Sequence, residues 1–105
     1  MRFFALTVAV SFFATVVAAQ PKPPGDKAFG EYLSGECVTC HQLSGKTVGA
    51  IPPIVGVDTE SFVVLMLAYK TKQRDNQVMQ TIAAKLADEE IAALAAYFES
   101  IKPKP

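Results

Sequence analysis

A single histidine, His41, serves the whole chain of 105 residues, with only two cysteines and three methionines beside it. That scarcity excludes several chemistries. A zinc site wants four protein ligands, or three and a water. This chain has two thiols and one imidazole, and Cys40 and His41 are neighbours, which is awkward for joint tetrahedral ligation. Charge of one sign is also missing, because ten Lys and Arg residues stand against ten Asp and Glu. Nucleic-acid binding draws on an excess of basic side chains, so nucleic acid is not an expected partner. No stretch alternates as a half-buried strand would, and no internal repeat is present. A thioredoxin-like dithiol wants its C-x-x-C where a strand meets a helix, and that scaffold is absent from the pattern. Nothing resembles a catalytic nucleophile with its base, which argues against turnover by the chain itself.

Long apolar runs are few, and the exception lies at the start. Phe3 to Val17 carries no charge, follows Met1 and Arg2, and leads into Val17-Ala18-Ala19. A short positive region, an apolar stretch and small residues are the anatomy of an export signal. The run is shorter than the about 20 residues a membrane-spanning helix needs. Residues 1–19 are therefore expected to be a signal peptide cut after Ala19, which makes the protein periplasmic. Membrane attachment would arise only if this segment stayed uncleaved. Residues 20–25 (QPKPPG) and 102–105 (KPKP) read as proline-rich, solvated tails. The domain between them, residues 26–101, is small enough to need a staple.

Inside that domain the residues predict helices and loops. Asp26 can cap a first helix reaching about Glu36, with Phe29, Tyr32 and Leu33 on an apolar side. Gly30 lowers helix propensity there. It is either tolerated strain or a place where another backbone comes close. Residues 42–57, with Gly45, Gly49, Pro52, Pro53 and Gly56, read as loop. Asp58 can cap a second helix, Thr59 to about Thr71, with Glu60 at its start and Lys70 and Lys72 at its end. The centre of that segment, Phe62 to Tyr69, is apolar throughout; its length and end charges favour helix over strand. A polar turn, residues 72–76, precedes a short helix over 78–85. The last helix is expected to be capped by Asp88. Ile91, Leu94, Ala95, Phe98 and Ile101 follow at helical spacing, and Pro103 stops it. Asp88, Glu89 and Glu90 suit the helix dipole better than a metal or acid–base cluster.

The motif that carries chemistry is Cys37-Val38-Thr39-Cys40-His41. C-x-x-C-H reads as c-type haem attachment. Two thiols add across the two haem vinyl groups and become thioethers, and the spacer matches the separation of those vinyls. His41 is then delivered under the iron as proximal ligand. The bland alternative is a disulfide with an incidental histidine. A carrier of electrons needs a sixth ligand, usually Met or His. No second histidine exists, so Met66 and Met79 compete. Met66 lies within the apolar second helix and is expected in the core. Met79 follows the polar turn and is the expected distal ligand. The proximal imidazole usually donates its other N–H to a carbonyl, and the carbonyls around Pro52 and Pro53 are candidates.

Beyond the signal segment the chain resembles the class I cytochromes c, and within them the haem subunit of flavocytochrome c, the sulfide dehydrogenase. The matching residues are Gly30, Tyr32 and Leu33; Cys37, Cys40 and His41; Gly45, Gly49-Ala50-Ile51-Pro52 and Gly56; Arg74 with Val78-Met79; Ile82; and Asp88 to Phe98. Gln42 stands where relatives often have Gly, Lys85-Leu86-Ala87 replaces Gly-aromatic-Ser/Thr, and Ile54-Val55-Gly56 replaces Leu-Ala-Gly. The resemblance implies an all-α fold of three to four helices wrapped round one covalent haem c. The first and last helices would cross at Gly30. It implies Met79 as distal ligand and the Pro52 carbonyl accepting from His41. It further implies a flavoprotein sulfide dehydrogenase subunit as electron donor and a downstream periplasmic acceptor. A free carrier serving a terminal oxidase or another dehydrogenase has the same chemistry. A haem protein with an open distal site is a third reading, and Met79 argues against it. The near-neutral charge favours docking through apolar residues such as Val48, Ile51 and Val78.

Overall fold

The computed structural model describes residues 2–5, 7–15 and 25–103. The expected cleavage point after Ala19, most of the proline-rich segment and the last two residues lie outside the described residues. Residues 2–5 and 7–15 carry neither helix nor strand. No helix among the described residues is long and apolar enough to cross a membrane.

Four α-helices make the domain: α1 Lys27–Leu33, α2 Thr59–Lys70, α3 Gln77–Ala84 and α4 Asp88–Ser100. The carboxylate of Asp26 accepts from the amides of Ala28 and Phe29, and that of Asp58 from Ser61. Both aspartates therefore satisfy N–H groups that a helix start leaves unpaired. The α-helical part of the first helix ends at Leu33, and Ser34–Glu36 continue as a tighter 3-10 turn. The segment from Thr59 is helical, not extended, as its end charges suggest. The expected cap of α4 is displaced by one residue. Ala87 holds the extended cap position and Asp88 is already helical. Glu90 accepts from the Ala87 amide at 2.9 Å, half of a capping box. Asp88 instead lies 3.8 Å from the ammonium of Lys70.

The buried core joins Val55, Phe62, Met66, Ala83, Ile91, Leu94, Ala95 and Phe98. Phe98, Ile91 and Leu94 are its largest fully enclosed side chains. Each contributes about 1.5–3 kcal/mol by leaving water. Phe62 stacks on Phe98 with ring centres 5.8 Å apart. α1 packs on α4, and α2 packs on both α3 and α4. Glu99 near the end of α4 accepts from the amide of Thr59, the first residue of α2, at 2.6 Å. Lys70 at the end of α2 donates to the carbonyl of Leu86, just before α4. These two ties show that α2 and α4 run antiparallel.

The buried side of α1 differs from the expected one. Tyr32 is 83% exposed and Phe29 is 40% exposed, whereas Gly30 is buried. A Cβ placed on Gly30 would stand 2.0 Å from the carbonyl oxygen of Ala93 and 2.8 Å from Cβ of Tyr97. The helix thus turns its least bulky position to α4, so that the two backbones can approach, and the aromatic residues are left outside.

Candidate haem site

The C-x-x-C-H motif continues the first helix. The amides of Cys37 and Val38 donate to the carbonyl of Ser34 at 2.8 and 3.0 Å, and those of Cys40 and His41 to Cys37 at 3.2 and 2.8 Å. Ser34 is itself buried, with its hydroxyl on the carbonyl of Glu31. An unbroken series of turns therefore carries α1 into His41. Both thiols and the imidazole are brought into one short segment.

The imidazole is held from a second side. Nδ1 of His41 lies 2.7 Å from the Pro52 carbonyl oxygen. A carbonyl can only accept, so Nδ1 carries the hydrogen and Nε2 keeps a free lone pair. The carbonyl is presented by the loop 42–57, where Val48 and Ile51 pair across a turn at Gly49. The far end of this loop is docked on α4, with the amide of Gly56 donating to the carbonyl of Phe98 at 2.8 Å. Gly56 has φ of 74°, a conformation glycine adopts without penalty.

No disulfide joins Cys37 and Cys40. Cys37 is half-buried, and burial, reinforced by the carboxylate of Glu36, pushes its thiol up to about 11. Met66 is buried among Phe62 and Phe98 in the core, as its place in the apolar helix suggested. Met79 sits in the first turn of α3 and is half-buried against that cluster, as are Cys37, Val38, Ile54, Tyr69 and Leu86. A motif thiol and a thioether thus pack against the same apolar core, and both are only half covered by protein. That donor set and that partial cover fit a large apolar ring held by thioethers and imidazole. A groove of about 370 Å³ between α2 and α4 is lined by Gly25, Thr59, Glu60, Val63, Val64 and alanines of α4. No thiol, imidazole or thioether reaches it.

The sequence pattern did not reveal the cross-links that hold these parts. Arg74 donates from Nε to the hydroxyl of Tyr69 at 2.8 Å. Glu99 reaches the start of α2 across forty positions of chain. Periodicity reports which face is apolar, and it is silent on polar partners distant in sequence.

The fold and the motif define a small helical c-type haem protein. The family model for cytochrome c matches residues 24–102, and the chain belongs to that family. Cytochrome c-554(548) of Halomonas halodenitrificans is 36% identical over 80 residues, which span 72% of this chain and 96% of that one. The thiosulfate dehydrogenase electron acceptor of Stutzerimonas stutzeri is 36% identical over 73 residues, 66% of this chain and 34% of that one. Cytochrome c4 of Thiocapsa roseopersicina is 35% identical over 89 residues, 83% of this chain and 45% of that one. The match thus spans less than half the length of the last two. The protein is a cytochrome c-type electron carrier with covalent haem c, and it is an electron-transfer protein, not an enzyme.

Proposed function

We propose that this cytochrome works in the periplasm, exported by residues 1–19, and accepts single electrons from a flavoprotein that oxidises sulfide. Bound haem supplies an iron that takes up and releases one electron. Cys37 and Cys40 hold the haem as thioethers. His41 through Nε2 and Met79 through its sulfur would be the ligands of that iron. The observation that carries the ligand reading is the 2.7 Å contact of His41 Nδ1 with the Pro52 carbonyl. It fixes the tautomer and turns the free lone pair of Nε2 away from the loop. A thioether ligand favours Fe(II) and raises the potential, which suits an acceptor of electrons from a flavin.

The residues shared with the haem subunit of flavocytochrome c support the sulfide branch. A relative named for accepting electrons from thiosulfate dehydrogenase supports reduced sulfur compounds as the electron source. Val78 is 67% exposed and Val48 is 43% exposed, and Ile51 is half-buried. With charges balanced, these form the apolar docking patch. A steep salt dependence of the association rate would assign docking to charge steering instead.

Gentle purification of the tagged protein from the exported fraction of its own host, followed by a visible spectrum, tests the assignment. Haem and flavin bands together, with bleaching of the flavin and reduction of the haem on adding sulfide, are expected. Haem bands alone, with no sulfide-dependent reduction in the exported fraction, favour the second reading, a freely diffusing carrier.

A further inference from the structure

α3 carries Met79, and its partner helix is α2. The turn joining these two helices therefore decides where the methionine sits. That turn is unusually well tied. The amides of Gln73 and Arg74 both donate to the carbonyl of Ala68, at 2.9 and 3.1 Å. Arg74 Nε donates to the Tyr69 hydroxyl at 2.8 Å. The Arg74 carbonyl accepts from the side-chain amide of Gln80, the residue after Met79, at 2.9 Å. Asn76 Oδ1 accepts from the backbone amide of Met79 itself at 3.0 Å. The same turn contains Lys72 at φ 62°, a conformation that an L-residue adopts at a cost. The ties oppose that cost.

We infer that Tyr69 and Arg74 are positioning residues for the distal ligand. Their hydrogen bond locks the end of α2 to the turn, Gln80 and Asn76 extend the lock into α3, and the Met79 sulfur is held at one height. This rests on Met79 being the distal ligand. Without the lock, α3 would still form, because Asn76 caps it. The ligand would then spend more time off the iron and yield its place to an external one.

Tyr69→Phe and Arg74→Leu, prepared as haem-loaded full-length protein, test this against Met79→Ala and Glu99→Ala. The readouts are the sulfur-to-iron charge-transfer band of the ferric state and the affinity for added imidazole. Tyr69→Phe removes one oxygen and leaves the packed ring, so it keeps the fold. Both lock variants should weaken the band and tighten imidazole binding by about tenfold, the factor that one lost hydrogen bond gives through the ligand-off population. Glu99→Ala loosens the opposite end of α2 and should change neither readout. If both lock variants match the wild type while Met79→Ala has lost the band, the positioning role is overturned. If Met79→Ala keeps the band, the ligand assignment itself fails, and the inference falls with it.

Discussion

Gly30→Ala separates two physical accounts of the α1–α4 contact by the sign of its effect. If Gly30 were merely a poor helix former, alanine would stabilise the protein by about 1 kcal/mol. The structure requires the opposite. The new methyl would lie 2.0 Å from the Ala93 carbonyl oxygen and 2.6 Å from its carbon. Ordinary contact begins at 3.4 Å, so α1 would have to back away by about 1.4 Å from a close-packed neighbour. The obstacle is backbone, which cannot rotate aside. Overpacking costs about 1–3 kcal/mol and sometimes more, and here the upper part of that range applies. After the gain in propensity, the net loss is about 2 kcal/mol, a large share of a small domain's stability. Urea unfolding of the haem-loaded protein, followed by circular dichroism, reads this as a lower midpoint at constant slope. Gly35→Ala is the internal control. Nothing lies within 4 Å of a Cβ at that site, and Gly35 is not among the positive-φ glycines. It should stabilise by about 0.4–1 kcal/mol through the unfolded chain. A Gly30→Ala protein as stable as the wild type would refute the close approach.

Lys72, two residues past the end of α2, is in the left-handed conformation, φ 62°, with its amide on the Tyr69 carbonyl and that of Gln73 on the Ala68 carbonyl. This pairing favours glycine; Lys72→Gly should raise stability by about 0.5–1 kcal/mol in the same urea assay, and a fall would contradict the strain. Glu99→Ala removes the carboxylate that caps α2 from α4 and should cost about 1 kcal/mol; an unchanged midpoint would show the bond to be energetically idle. The backbone amide of Ser61, hydrogen-bonded to the carboxylate, holds the pKa of Asp58 below the usual aspartate range. A depressed folded-state pKa gives stability that is present above the ordinary aspartate pKa and is lost as pH falls through the lowered one. Asp58→Asn keeps a competent cap without the titration, so its stability should fall less steeply on acidification below the ordinary aspartate range. Parallel acid limbs for the two proteins would argue against this assignment.

How far the molecule was legible in its sequence depended on the kind of signal. Asp26 and Asp58 are caps because their side-chain oxygens serve amides two or three residues on, and such local chemistry is visible in a string of letters. The buried stripe of α4 was visible for the same reason, since Ile91, Leu94, Ala95 and Phe98 recur at helical spacing. The cap of α4 was misplaced because an acidic residue after Ala87 looks like a capping aspartate, while the structure uses Glu90 from within the helix. On α1 the close approach at Gly30 was legible as one of two readings and through the family resemblance, whereas the exposure of Phe29 and Tyr32 was not, because hydrophobicity alone does not mark burial. There the decisive residue is the one without a side chain, and Phe29 and Tyr32 point outward. The candidate site was legible as far as Cys37, Cys40 and His41, whose chemistry is contiguous. The residues alone left the carbonyls around Pro52 and Pro53 as candidates for His41, and the resemblance singled out Pro52, which lies 2.7 Å from Nδ1.

That approach also explains why so much of the chain converges on one helix. His41 is held from two sides, and both supports lead to α4. One passes back through Ser34 and α1 to Gly30 against Ala93 and Tyr97. The other passes through the Pro52 loop to Gly56 on the Phe98 carbonyl. The arm that bears Met79 does the same, because α3 rests on α2, and the end of α2 that meets their joining turn is tied to the start of α4 through Lys70. A haem between His41 and Met79 would therefore be clamped by two arms fixed to a common rod. In such a frame α4 would be the common support of His41 and Met79, so little would need to move when the iron changed charge. A carrier of single electrons benefits from that economy, since each rearrangement avoided lowers the barrier to transfer.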